Sequence, residues 1–531
     1  MELFKDKINS KILYDELLKI GMVYENLPVY INTRDLDNKF VESIKSNIKG
    51  SSPITIKMRK RDGGNRIISI PNPVSYQILV RHIFSNKKIF LNILNKIESN
   101  EFSFSKVLNK DDLSWNMPFK DLNSNYSQNR REKMKLSVGK RYCLKSDVES
   151  FYDNIYSHYL IVGLLGFDQA MDMYNETIKV NEEYKYMSKV DKYMRNMCRK
   201  ETKGILTGPF TSRIFSELFM SGIDLEISNV LKTKCFRRYV DDIEFFEFSL
   251  DKQERNVEVI TDIFFKYKLK LKIEKTNIRE MPFIDFQSLK ELININLFKD
   301  KKVVNEYQAN QEDLFEALDK AERLSREENS GALKYVFKAL SLKKYHYFDK
   351  DLTLTSFDSI LYLLNYLIVY PQYSNYVYKI LENNIIKNKE ITQKLNRTLL
   401  LFLEKEYDFC SLHLIGLMVK CGIPIKKKIL TEYLCKEKNN EILQGVIIAY
   451  LCESKKYKYI ISSLDKVKRS FIYKGLCDFS TDYWLSKYIL FYYDFIDVSE
   501  ISKNDYFEVF DRYKRENVKF VNFDLLFELE D

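Results

Sequence analysis

The stretch "RRYVDDIEFFEF", residues 237–248, sets two adjacent carboxylates, Asp241 and Asp242, between apolar runs. Neighbouring like charges repel, and burying them costs free energy unless a cation compensates. The pair therefore either faces solvent in a turn or holds a metal ion. A third acid, Asp147, closes the run "RYCLKSD" (141–147), which reads as a strand that stops at a charge, and the aromatic Tyr152 follows it. Between these acids, "GILTGPF" is a glycine-rich stretch leading into a helix marked by Ile214, Phe215, Leu218 and Phe219. Nearer the N-terminus, "PITIKMRKRDGGNRIISIPNP" (53–73) holds two β-rich runs around Asp62-Gly63-Gly64-Asn65, a hairpin signature. Its arms carry Lys57, Arg59, Lys60, Arg61 and Arg66. The chemistry open to such residues is coordination of a hard cation by carboxylate oxygens and anion binding by guanidinium groups. A merely solvated basic hairpin is the alternative.

These residues sit in a chain of 531 residues, too long for one ordinary core, so two or three domains are expected. Hydrophobic residues at 45% and charged residues at 30% describe a globular protein rather than a disordered one. Glycine (15) and proline (9) are scarce, which favours long uninterrupted helices. A net charge of +10 permits a polyanionic partner without demanding one. The eight cysteines are scattered without a C-x-x-C pair and the four histidines are isolated, which argues against zinc and for free thiols in a reducing compartment. The N-terminus lacks the apolar core of a signal peptide, and no 18-residue uncharged apolar stretch occurs. A cytoplasmic protein with no membrane segment is expected. After about residue 305 glycine and β-patterning nearly vanish. Helix–turn–helix blocks such as "SFDSILYLLNYLIVYPQYSNYVYKILEN" recur there at roughly 35–45 residues, the period of HEAT-type repeats. An irregular helical bundle is the alternative.

Taken in order, "SDVESFYDN", "GILTGPFTSRIF" and "YVDD" resemble motifs A, B and C of a reverse-transcriptase palm. The hairpin falls where that family has its fingers, and "KIEKTN" where motif D lies. The resemblance covers roughly residues 50–290. It implies an α+β fold: a fingers–palm domain in residues 1–305, followed by an all-α, HEAT-like helical-repeat domain in residues 306–531. It implies a nucleotidyltransferase using two Mg²⁺ ions (Mn²⁺ as a substitute) about 4 Å apart. Asp147, Asp241 and Asp242 become the metal ligands, with the Val148 carbonyl as a fourth. Tyr152 matches the aromatic that excludes a 2′-hydroxyl, which implies dNTPs as substrates; a core aromatic is the other reading. Arg66 with Lys57 matches the position that grips the triphosphate. Lys275 matches the motif D lysine, a general acid near the pyrophosphate. Thr207 and Gly208 lie where motif B meets the nucleotide.

Motif B departs from the common group II intron and retron pattern G-x-P-Q-G-x-x-x-S. Leu206 and Thr207 replace Pro-Gln, while Gly204, Gly208 and Ser212 remain. The string "GILTGPFTSRIFSELFM", then "RYVDD", then "EKTNIREMPFIDFQS" is similar to the bacterial abortive-infection (Abi) polymerases, relatives of the defence-associated reverse transcriptases. That resemblance implies DNA synthesis primed by a protein hydroxyl with the product covalently attached, without a template or with a noncoding RNA. It also implies a homo-oligomer, trimer or hexamer, and a role in abortive infection against phage in the bacterial cytoplasm. Tyr24 and Tyr30, in "GMVYENLPVYIN" before the fingers, are the candidate priming residues; ordinary packing aromatics are the alternative. A catalytically idle palm serving as an RNA-binding scaffold is the reading from another class.

Overall fold

The computed structural model describes residues 8–44, 48–60, 64–109, 112–117, 124–283, 302–303, 306–308, 311–327, 331–341, 345–346, 354–384, 388–436, 439–453, 461–472 and 476–528. An N-terminal helix, Ser10–Lys19, is started by Asn9, whose side chain accepts from the amides of Lys11 and Ile12. The expected hairpin follows as β1 (Ile54–Arg59) and β2 (Asn65–Ile70), paired antiparallel with Ile54 opposite Ile70 and Met58 opposite Arg66. Arg61, Asp62 and Gly63 at its tip lie outside the described residues. The chain then enters helix Pro73–Ile83, capped by the Asn72 side chain and opened by a proline whose missing amide costs nothing there.

The strand expected at 141–147 is β3 (Tyr142–Asp147), and the acids of "YVDD" lie between β4 (Phe236–Tyr239) and β5 (Asp242–Glu247). With β6 (Asn277–Glu280) they form a four-stranded antiparallel sheet of order β4-β5-β3-β6. Helix Phe210–Leu231 joins β3 to β4, and helix Leu250–Lys266 joins β5 to β6. This β-α-β-β-α-β order is the split βαβ arrangement. It brings the C-terminal end of β3 beside the β4–β5 turn, although Asp147 and Asp242 stand 95 positions apart in sequence.

From Gln311 onward the described chain is largely helical. Helices Ser374–Asn384, Asp408–Lys420, Glu441–Glu453 and Trp484–Tyr492 pack on one another in succession as an inner layer, and the last three are buried nearly all round. Lys389–Glu404, Lys427–Leu434 and Ile461–Ile472 alternate with them as an outer, amphipathic layer. Stacked two-layer helix pairs are the geometry of a helical-repeat array. The region also carries a small sheet that the helical pattern does not announce: β7 (Lys302–Val303), β8 (Glu306–Gln308) and β9 (Tyr345–His346).

The inner layer lies against β1. One continuous apolar cluster runs from Leu13 and Ile54 to Phe510 and Val521. Buried polar bonds stitch the same seam: Asn72 Nδ2 donates to Phe479 O at 2.8 Å, and Ser75 Oγ and Tyr506 OH lie 2.8 Å apart. Among the described residues no helix is long and apolar enough to cross a membrane.

Candidate active site

Antiparallel pairing sets Asp147, the last residue of β3, directly opposite Asp242, the first of β5. Directly paired residues project to the same face. Asp241 fills the second position of the two-residue turn that joins β4 to β5, closed by the pair Tyr239–Asp242. Val240, the first position, has φ of +56°, a left-handed conformation that is unusual for a β-branched residue. The turn is tied to motif A by a bond from Val148 N to Asp241 O (3.2 Å). Lys272 N to Asp147 O (2.7 Å) and Glu149 N to Lys270 O (2.8 Å) hold the same segment. None of these three bonds uses the Val148 carbonyl.

The electrostatics follow from this crowding. Asp147 is 7% exposed. Burial, then the charges of Asp147 and Asp242, push the Asp241 carboxyl up to about 7, and Asp241 shares a hydrogen bond with Asp147. Asp242 is also raised, by burial first, with Lys145 acting in the opposite sense. Lys275, in the short turn Ile273–Lys275, bonds its ammonium to Asp147 Oδ2. Burial works against its charge, but the hydrogen bond and charge of Asp147, with Asp242 and Asp241 beyond, win and raise it.

The donor set, three carboxylates at one end of the sheet's two central strands, is of the oxygen type that hard divalent cations take. Among the described residues no group of three or more His, Cys, Asp or Glu side chains is arranged so that it could hold a metal ion as it stands.

The motif B loop binds the palm to the fingers. Ile205 N donates to Tyr152 O (2.9 Å), and Ser69 N of β2 donates to Thr207 O (2.7 Å). Gly208 has φ of +136°, and a Cβ there would come within 2.6 Å of Ser69 O, so only glycine fits. Tyr152, in the single turn Phe151–Asn154, is half-buried; its hydroxyl bonds to Ser216, and burial raises it to about 12. The charges of Glu217, Arg213 and Asp241 act on the same phenol. Glu149 and Asp153 are exposed.

The fingers require a correction. Arg66 and Lys57 were expected to grip one triphosphate together. Because β1 and β2 are in a fixed register, Arg66 shares its face with Met58, whereas Lys57 shares the opposite face with Ile67. Arg66 bonds to the hydroxyl of Tyr24 and acts on Glu25, which Arg213 also faces. Lys57 instead lines a cavity of about 210 Å³ with Arg59, Lys405, Glu406 and Tyr407. There Arg59 Nη1 donates to the Tyr407 hydroxyl at 3.1 Å.

The two candidate priming tyrosines part company as well. Tyr24 is half-buried, and its hydroxyl accepts from Asn26 Nδ2 (2.9 Å) on the Arg66 side. Tyr30 is 0% exposed, donates to Leu412 O (2.7 Å) and stacks on Phe523 with ring centroids 4.7 Å apart. Tyr30 does lie in a run of turns, but its side chain is a core residue and not a group free to enter a site. Sequence reasoning passed over Arg238, Glu217 and Asp224, which are buried together beneath the turn. Their signal was present, since Glu217 and Asp224 stand at i and i+7 on the buried face of an otherwise apolar helix.

Residues 58–304 match the family model described as reverse transcriptase (RNA-dependent DNA polymerase). That span contains Asp147, Asp241, Asp242, the motif B loop and Lys275. No curated protein matches the chain. Among solved structures, apo telomerase from Candida tropicalis truncated from its C-terminal domain is 15% identical, with a TM-score of 0.30, over 45% of this chain and 51% of that one. Telomerase from Candida albicans in complex with a TWJ fragment of telomeric RNA is 13% identical, with a TM-score of 0.30, over 69% and 66%. Apo telomerase from Candida tropicalis is 13% identical, with a TM-score of 0.32, over 76% and 70%. The chain spans about half the length of the first of these. The molecule thus consists of a reverse-transcriptase domain and a largely helical remainder.

Proposed function

We propose that the chain is a DNA polymerase of the abortive-infection type, joining dNTPs to a hydroxyl by phosphoryl transfer. The observation that carries this is the pairing of Asp147 with Asp242, with Asp241 in the turn beside them. Asp147, Asp241, Asp242 and the Val148 carbonyl are the groups that would hold two Mg²⁺ ions, with Mn²⁺ as a substitute. Bound there, the cations supply charge to the phosphates and lower the pKa of the attacking hydroxyl. The hydroxyl oxygen bonds to the α-phosphorus of the dNTP and its proton passes to water. The α–β anhydride bond breaks, and pyrophosphate leaves. In this reading Lys275, which bonds to Asp147, protonates that leaving group. Arg66 takes the triphosphate, and the Tyr152 ring stands against the sugar, leaving no room for a 2′-hydroxyl.

The primer in this reading is the protein itself, through the Tyr24 phenol, which lies on the Arg66 side of the hairpin. The DNA product stays covalently attached. Synthesis proceeds in a homo-oligomer, trimer or hexamer, in bacterial cytoplasm, as part of phage defence. Mass measurement of the purified, nuclease-treated protein tests the proposal. A nucleotide adduct on the peptide bearing Tyr24 supports it. A free DNA product made along a copurified noncoding RNA overturns the protein-primed part. No product of either kind, with the fold intact, leaves only the scaffold reading.

A further inference from the structure

Beneath the β4–β5 turn lies a polar cluster that the chemistry above does not use. Arg238, in β4, is 0% exposed. Its Nε donates to both Asp224 oxygens (3.1 and 3.0 Å). Nη2 donates to Glu217 Oε2 (3.0 Å) and Asp224 Oδ2 (2.9 Å). Nη1 donates to Glu217 Oε1 (3.2 Å) and to Val240 O (2.8 Å). All five N–H groups of the guanidinium are thereby used. The acids are completed by Ser103 Oγ on Glu217 (3.0 Å), Asn100 Nδ2 on Asp224 (2.7 Å) and Ser105 Oγ on Glu217 Oε1. The same Ser105 oxygen accepts from Val240 N at 3.0 Å.

We infer that Arg238, Glu217 and Ser105 form a positioning device that clamps Val240 by both its carbonyl and its amide, and so aims Asp241 and Asp242 at Asp147. The inference rests on the polymerase reading. Val240, in this turn, has a positive φ that a β-branched side chain adopts only under strain. Relaxing it requires the flanking peptides to rotate, which breaks the bond to Arg238 or the bond to Ser105. A buried ion cluster serving stability alone has no need to spend donors on a strained turn. Two carboxylates against one guanidinium leave one net negative charge, which the neutral donors Ser103, Ser105 and Asn100 solvate. The device also reaches the sugar side of the site, because Glu217 follows Ser216, the partner of the Tyr152 hydroxyl. These are positioning residues; none of them touches Asp241 or Asp242 through its side chain.

The test is Mn²⁺ binding by the full chain without nucleotide, followed by electron paramagnetic resonance, for wild type, Ser105→Ala, Arg238→Lys and Asp241→Asn. Ser105→Ala keeps the three charged groups and removes the hydroxyl that accepts from the Val240 amide and donates to Glu217 Oε1. Its Mn²⁺ concentration for half-occupancy is expected to rise about tenfold, the scale on which residues behind metal ligands act. Its melting temperature should stay close to wild type. Arg238→Lys keeps the charge and loses the planar fork, so its shift should be larger. In dNTP incorporation the Mg²⁺ midpoint of Ser105→Ala should move in parallel, while the KM for dNTP stays unchanged. A folded Ser105→Ala with wild-type Mn²⁺ half-occupancy, in a protein whose Asp241→Asn variant has lost binding, overturns the device and leaves the polymerase reading standing. A wild-type protein that binds no more Mn²⁺ than Asp241→Asn overturns both.

Discussion

The molecule has two hairpins at its cleft, and they differ in how tightly their chemistry is aimed. The β4–β5 hairpin turns in two residues and lies at one side of a four-stranded sheet, with its acidic end opposite Asp147. Its turn is held from below by side chains with no exposure. The β1–β2 hairpin is an isolated two-stranded pair with a longer tip, and strand periodicity splits its basic residues between two faces. In the first, three like charges converge on one point. In the second, the described strand cations divide, with Lys57 and Arg59 on one face and Arg66 on the other. Convergence of like charge is expensive without a ligand, so it reports a site more sharply than a basic patch does.

The largest effect that would break this comparison is on the convergent site. Asp147→Ala should lower Mg²⁺-dependent dNTP incorporation by on the order of 10²–10³, the scale of losing one electrostatic stabiliser of a transition state. Near-wild-type turnover would show that the acids are not the site. The dispersed hairpin predicts an asymmetry: Arg66→Ala should raise the KM for dNTP by about tenfold or more, a charge-assisted hydrogen bond's worth. Lys57→Ala, on the opposite face, should leave it alone. Equal effects in steady-state kinetics would contradict the assignment of faces. Tyr152→Ala should raise the rNTP-to-dNTP incorporation ratio by about tenfold, since excluding one hydroxyl is worth about 1.4 kcal/mol or more. An unchanged ratio with activity retained would return Tyr152 to the core.

Smaller effects are expected in stability. Tyr30→Phe removes the donor to Leu412 O and should cost about 1–3 kcal/mol in denaturant unfolding, without altering DNA attachment. Tyr24→Phe should do the reverse. The pH dependence has a definite sign. Asp241 has its folded pKa raised from 3.8 to about 7, so the folded state holds the proton more tightly than the unfolded chain. Stability is therefore lost as pH rises through that window, and the loss is complete above about 7. Without metal, Asp241→Asn should melt a few degrees above wild type at pH 8. The gap should close toward pH 4, and a gap that widened on acidification would refute the crowding.

The elements that carry the site were legible because their signals are local. A strand that ends on Asp147, two acids between apolar runs and a glycine-rich loop before a helix all have short-range causes. The faces of Lys57 and Arg66 were not legible, because they depend on the register across the hairpin tip, which spacing along one strand does not contain. Tyr30 was misread for a related reason. Its partners, Leu412 and Phe523, come from the far end of the chain, and nothing near "LPVYIN" signals them. The two-layer helical array was visible as a period, but its seat against β1 was not. Ile284 and Asp285, part of the Pro-Phe-Ile-Asp string used for the resemblance, lie outside the described residues.

The most direct measurement incubates the purified full chain with Mg²⁺ and labelled dNTPs, denatures it, and follows the label on a gel beside Asp241→Asn. The account predicts label that migrates with the wild-type protein, requires the divalent cation, and is absent from Asp241→Asn. Equal labelling of both proteins, or none in either while both are folded, would contradict it.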